Sequence, residues 1–460
     1  MTFQFAIKSA AVRALLAGTT ALFLAQPALA ALALQHWKLP SGAEVWLAES
    51  PAIPMLDVQI DFDAGSRRDP PAQSGLASAM AAMMSRGIRA ADGPGAKGDY
   101  PTALDENQLS EAWADLGASF DASTDSDRLS FSLRSLTYPD LLARATQLAS
   151  RQIAAPAFPA DIWQRDRERM VASIKEANTR PGTIAGKAFA QAVYGDHPYG
   201  RQTTEETLAR ISVADMQALH ERHVLACRAH VILVGAVTRA QAETLVNTLL
   251  SRLPAGSPQR CAPLPPVPEV AALAAPSEQR IPFESAQAHV FIGQPGIKRA
   301  DPDYFPLIVG NYILGGGGFV SRLTNEVREK RGLSYSVYSY FAPARHAGAF
   351  TLGLQTRPDQ ADQAVQVARE VLRQFVAEGP TEAELQAAKD NLIGGFALRI
   401  DSNRKLLGNI AGIAWNQLPL DYLDTWTQQV SRVTVADIRA AFARTLQPQR
   451  MATVIVGARP

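Results

Sequence analysis

Cysteine is almost missing from this chain of 460 residues: only Cys227 and Cys261 carry a thiol. An oxidising compartment permits one disulfide between them, and two unpaired thiols are the other reading, because spacing alone says nothing about geometry. Net charge is missing too. With 45 basic residues against 44 acidic ones the formal charge is +1, so nothing favours a nucleic-acid or an anionic-membrane partner. Beyond residue 30 no apolar run reaches the roughly 20 residues needed to cross a bilayer. No cysteine lies near residue 30, so lipid anchoring is not indicated.

What is present begins at the N-terminus. Lys8 and Arg13 precede an apolar run from Ala14 to Ala25, followed by Gln26-Pro27-Ala28-Leu29-Ala30. A basic region, a short apolar region and a small-x-small site together predict a signal peptide over residues 1–30, cleaved near Ala30. The run is too short for a membrane anchor. Residues 1–30 hold no acid, so losing Lys8 and Arg13 takes the formal charge from +1 to −1. The expected product is periplasmic or secreted, and its roughly 430 residues are too many for one core.

Prolines crowd residues 258–279, which predicts an extended linker between an N-terminal domain, 31–257, and a C-terminal domain, 280–460. The two halves repeat. Val213-Ala214-Asp215 recurs as Val435-Ala436-Asp437, and Val231-Ile232-Leu233-Val234-Gly235-Ala236 recurs as Thr453-Val454-Ile455-Val456-Gly457-Ala458, both 222 residues on. One offset shared by a helix and a strand marks a tandem of one domain type. Each half opens on alternating apolar residues, Val45 to Leu47 and Leu56 to Phe62 in the first, Ala288 to Gly293 in the second. Helical patterns follow at Leu76 to Met84, Tyr304 to Leu314, Ala361 to Val376 and Glu382 to Ala397, the last with Thr381 as its N-cap. Strands and helices grouped in blocks predict an α+β fold, each domain an antiparallel-rich sheet packed with helices.

An inverted zincin places His-x-x-Glu-His on a helix, because two imidazoles one turn apart can bind zinc while the glutamate acts on the bound water. Here the first-half helix reads Gly75-Leu76-Ala77-Ser78-Ala79-Met80-Ala81-Ala82-Met83-Met84. It follows Ala64-Gly65-Ser66-Arg67-Arg68-Asp69. Later come His197-Pro198-Tyr199-Gly200-Arg201, Leu314 to Leu323, and Val327-Arg328-Glu329-Lys330-Arg331-Gly332-Leu333-Ser334-Tyr335. In these segments, and in its tandem plan, nearly all of the chain past residue 30 resembles the pitrilysin (insulinase) family of zinc peptidases, of the subunit type lacking the His-x-x-Glu-His motif. The resemblance places the family's two zinc histidines on Ser78 and Ala82, its catalytic glutamate on Ala81, and its third ligand at about Ser173. A hydroxyl and methyl groups supply neither imidazole nor carboxylate, so no zinc site is expected and no peptidase activity of the chain's own.

Other histidines offer little replacement. His220 and His223 stand at i and i+3, a possible metal pair, but the offset of 222 maps them to Phe442 and Thr445, which points to scaffold positions. His36, His197, His230, His289 and His346 form no close cluster in the sequence.

The second half retains more. Leu314 is followed by Gly315, Gly316, Gly317 and Gly318, then by a predicted helix carrying Leu323 and Val327 that ends near Gly332. The glycines read either as a substrate-contacting loop, as the resemblance implies, or as a flexible helix N-terminus. No Lys-Ser or Lys-Thr follows them, which excludes a nucleotide loop. A strand is predicted from Ser334 to Phe341, with Tyr335, Val337 and Phe341 on one side. The resemblance implies that Arg328 and Tyr335 bind substrate backbone, the tyrosine hydroxyl donating to a carbonyl oxygen as it becomes an oxyanion. Read without it, Arg328 belongs to a solvated charged face with Glu326, Glu329, Lys330 and Arg331, and Tyr335 is an aromatic of the sheet.

Together these readings predict a heterodimer. This chain holds peptide and binds no cofactor, its partner is a zinc-bearing pitrilysin-family subunit, and the chamber closes through the 258–279 linker. Two other readings stay open, a structural subunit in which Arg328 and Tyr335 are relics and a stand-alone peptide-binding protein.

Overall fold

The computed structural model describes residues 33–90, 102–254 and 259–457. The expected cleavage point near Ala30 and the last repeat residue, Ala458, lie outside them. Among the described residues eleven strands form two sheets: β1 (Leu34–Lys38), β2 (Glu44–Glu49), β3 (Met55–Phe62), β4 (Ser119–Thr124), β5 (Leu129–Leu136), β6 (His230–Gly235), β7 (Ser277–Ile281), β8 (Ala288–Pro295), β9 (Ser336–Phe341), β10 (Ala349–Thr356) and β11 (Ala452–Val456). The first sheet runs β1-β2-β6-β3-β5-β4 and the second β7-β11-β8-β10-β9. Apart from β1, the two orders correspond strand for strand. The pairs β2–β6 and β7–β11 are parallel, and every other pair is antiparallel. The fold is thus α+β, a tandem of two like domains.

Period-2 patterning builds the sheets. In β3, Leu56, Val58, Ile60 and Phe62 are buried in the first core. Asp57 and Asp61 point to the opposite face, where Arg134 of β5 and Arg128, the residue before that strand, meet them at 2.7 Å and 3.1 Å. Helices Leu76–Met83, Pro139–Ala154, Val213–His223 and Arg239–Leu250 contribute to that core, and helices Tyr304–Asn311, Ala361–Glu378, Glu382–Gly394 and Val435–Thr445 to the second. The repeated Val-Ala-Asp has a local cause. Asp215 and Asp437 are the third residues of their helices and close capping boxes with Ser212 and Thr434.

The central strands β6 and β11 are buried almost throughout, so each sheet has a second apolar face to cover. That cover is reciprocal. Helix Pro181–Tyr194, from the first half, lays Ala185, Phe189 and Val193 on Val454 and Val456 of the second sheet. Helix Asn403–Asn416, from the second half, lays Leu406, Ile410 and Ala414 on Trp46, Ile232 and Val234 of the first. Their ends, 181 and 403, 194 and 416, stand 222 residues apart like the sequence repeats.

Between the halves the chain is tied down. Cys227 and Cys261 form a disulfide. Beyond it the Pro265 carbonyl accepts from Arg68, the Pro268 carbonyl meets His197 Nε2 at 3.0 Å, and Glu269 pairs with Lys298 at 2.7 Å. The stretch read as linker to residue 279 becomes β7 at Ser277. A seam of hydrogen bonds runs beside it. Tyr199 Oη donates to Asp127 at 2.6 Å, and the backbone N–H groups of Arg345 and His346 donate to Asp127 and to Tyr199 Oη at 3.1 Å and 3.2 Å. The motif His197 to Arg201 therefore serves to join the halves.

Candidate functional site

The first-half helix Leu76–Met83 starts from Gly75 at φ 103°, a left-handed conformation that favours glycine. The buried Asp69 carboxylate accepts from Gly75 N at 2.8 Å and Ala77 N at 3.0 Å, and Arg201 donates to the Asp69 carbonyl at 3.0 Å. Burial pushes the Asp69 carboxyl up to about 6, against the opposing pull of the backbone donors from Gly75 and Ala77. The helix is firmly placed. Along it Ser78 is half-buried, Ala81 buried and Ala82 exposed, while Ser173 is exposed on helix Ala160–Ala177. These are the residues the resemblance assigns to the zinc site, and they do not fit a zinc ion: no imidazole, thiolate or carboxylate stands among them.

His220 and His223 are engaged elsewhere. His220 Nε2 meets the Ile153 carbonyl at 2.7 Å and His223 Nδ1 the Asp63 carbonyl at 2.9 Å. Two rings with separate backbone partners hold scaffold together.

In the second half, helix Tyr304–Asn311 continues into a π-helical turn, Tyr312–Gly316, and a second π-helix follows at Thr324–Glu329. Gly315 and Gly316 close the first turn, where a side chain on Gly315 would not fit, and Gly318 opens a short 3-10 helix, Gly318–Val320. A Cβ on Gly315 would come within 2.5 Å of Ser339 N in β9. Gly318, at φ 61° with open space around it, turns the chain outward. Leu323 and Val327 are fully buried as expected. Asn311 and Ser339 exchange hydrogen bonds of 3.0 Å and 2.8 Å, and Arg322 forks onto Glu384 with two contacts of 2.7 Å. Arg322 holds the Glu384 carboxyl down to about 2 despite its partial burial.

On this support Phe319, Val320 and Tyr335 are exposed at 71%, 77% and 78%. The guanidinium carbon of Arg328 lies over the Phe319 ring at 4.7 Å and the Tyr335 ring at 5.2 Å. Its nearest acid is Glu329, 3.5 Å from Nε. Lys330 and Arg331 instead share Glu326, at 2.6 Å and 2.7 Å, and hold its carboxyl below the usual range. Glu326, Lys330 and Arg331 thus form one ion-paired cluster, and Arg328 lies between Glu329 and the two aromatic rings. The strand expected from Ser334 begins at Ser336, and Tyr335 does not share the buried side of Val337 and Phe341. Ser334 causes the difference. Its hydroxyl lies 2.6 Å from the Ser336 carbonyl and 2.7 Å from that of Gln355, which bends the chain and leaves Tyr335 outside the sheet. Sequence reasoning missed Phe319, whose signal was two apolar residues, Phe319-Val320, directly after four glycines.

The sequence model of the family described as the peptidase M16 inactive domain matches residues 210–392. A crystal structure described as the peptidase M16 inactive domain from Pseudomonas fluorescens superposes with a TM-score of 0.85 at 32% identity, covering 93% of this chain and 98% of that one. The chain belongs to the pitrilysin family, peptidase family M16, as an inactive member. An "uncharacterized zinc protease" of Streptomyces coelicolor is 26% identical over 424 residues, 91% of this chain and 88% of that protein. The periplasmic protease PqqL of Escherichia coli shares the pitrilysin-family fold at a TM-score of 0.77 and 18% identity, 93% of this chain matching 45% of that one.

Proposed function

We propose that this chain is the non-catalytic, substrate-holding subunit of a heteromeric zinc peptidase, exported by its N-terminal signal and paired with a separate zinc-bearing pitrilysin-family chain. One observation carries the reading. Ser78, Ala81, Ala82 and Ser173 offer no metal-binding chemistry, while a half-buried Arg328 and an exposed Tyr335 stand together on a braced platform, with the Tyr335 hydroxyl unbonded among the described residues. A phenol donor that is free and positioned can stabilise a carbonyl oxygen as charge develops on it, without carrying the metal itself. The match to 45% of the PqqL chain leaves room there for a second unit of this size, the arrangement proposed here for two chains.

The test is peptide hydrolysis by this chain, by its zinc-bearing partner and by their mixture. Only the mixture should be active, and Tyr335→Phe should slow it about 100-fold, the usual loss of one oxyanion donor, with assembly intact by gel filtration. A mixture indifferent to Tyr335→Phe and Arg328→Ala would make the chain a structural subunit.

A further inference from the structure

We infer that Arg328 reads a carboxylate of the bound peptide, in preference to a main-chain carbonyl; the inference deepens the peptide-holding role proposed above and rests on it. The other cations of this segment already have carboxylate partners: Arg322 has Glu384, and Lys330 and Arg331 have Glu326. Arg328 does not. Its two terminal nitrogens make no hydrogen bond among the described residues, and its one acidic neighbour touches Nε at the long distance of 3.5 Å.

Geometry then selects the ligand. Phe319 and Tyr335 hold the guanidinium carbon over their rings at 4.7 Å and 5.2 Å, and the edge that carries its two terminal nitrogens has no hydrogen-bond partner among the described residues. That edge is a fork of parallel N–H bonds, which two carboxylate oxygens can fill and a single carbonyl oxygen cannot. The Arg328 side chain is 31% exposed, open enough to admit a ligand and shielded enough for the charge to matter. Beside it, Phe319, Val320 and Tyr335 offer apolar surface for an adjoining side chain. The ligand class is a peptide bearing a carboxylate, at its C-terminus or on an Asp or Glu side chain, next to an apolar residue.

Fluorescence anisotropy on the full chain tests this with labelled nonapeptides in two pairs, one ending in Phe as the free acid or the amide, the other carrying an internal Asp or Asn before Phe. Charge assistance predicts about tenfold tighter binding for the carboxylate member of at least one pair, and the pair that discriminates identifies the source. Arg328→Gln should abolish the preference, and Arg328→Lys, keeping charge without the fork, should retain only part of it. Equal binding within both pairs would overturn the inference and leave the peptide-holding role standing. No binding of any peptide would overturn both.

Discussion

Buried imidazoles give this protein a measurable pH dependence. His223 donates from Nδ1 to the Asp63 carbonyl, and burial pushes its pKa from 6.5 down to about 4. The folded state therefore favours the neutral ring. Its contribution is fully present above pH 6.5 and is lost as pH falls toward 4, amounting to about 2 kcal/mol between pH 7 and pH 5. Urea titrations at the two pH values should show His223→Asn, which keeps a donor but cannot titrate there, losing about 2 kcal/mol less than wild type on acidification. Equal losses would show that His223 protonates in the folded state without penalty. At this scale the residue types at Ser78, Ala81, Ala82, Ser173, Arg328 and Tyr335 were legible in the sequence, while the roles given to them here are proposals. The sequence was not legible for Phe319, because the link from Phe319 to Arg328 is made by the turn geometry between them and leaves no periodic trace.

Helical turns wider than α set the platform, and they depend on glycine for space. A methyl on Gly315 would meet Ser339 N and Oγ at 2.5 Å and Leu323 Cδ1 at 2.8 Å, and the strand backbone cannot move aside. Gly315→Ala should destabilise the protein by about 1–3 kcal/mol. Gly186, inside helix Pro181–Tyr194 with nothing within 4 Å, supplies the contrast. There alanine should stabilise by about 0.5–1 kcal/mol. Denaturant midpoints of the two variants should move in opposite directions, and a shared direction would refute the packing argument for Gly315. Elements with a strong period were legible, including helices Leu76–Met83 and Ala361–Glu378 and strand β3. The glycine tract was not, because its composition fits an open loop and a crowded turn equally well.

The repeat at 222 residues, legible in two short segments, extends through sheet order and covering helices. What covers each sheet could not be read, since an apolar helix face announces burial and not its partner. The proline-rich stretch was expected to act as a hinge. Closure through it would first have to break the Pro265, Pro268 and Glu269 contacts and the bonds from Arg345 and His346 to Asp127 and Tyr199.

Reciprocal cover also bears on ancestry. A single half would leave one sheet face bare and one helix with nothing to rest on, so a half-length chain could persist only as a domain-swapped dimer. Residues 31–254 and 259–460, produced apart under reducing conditions so that Cys227 and Cys261 cannot join them, should aggregate singly and co-purify one to one when made together. A monomeric, soluble half would contradict this. In the tandem chain the link between the halves makes an encounter that would depend on concentration into one that every molecule carries with it.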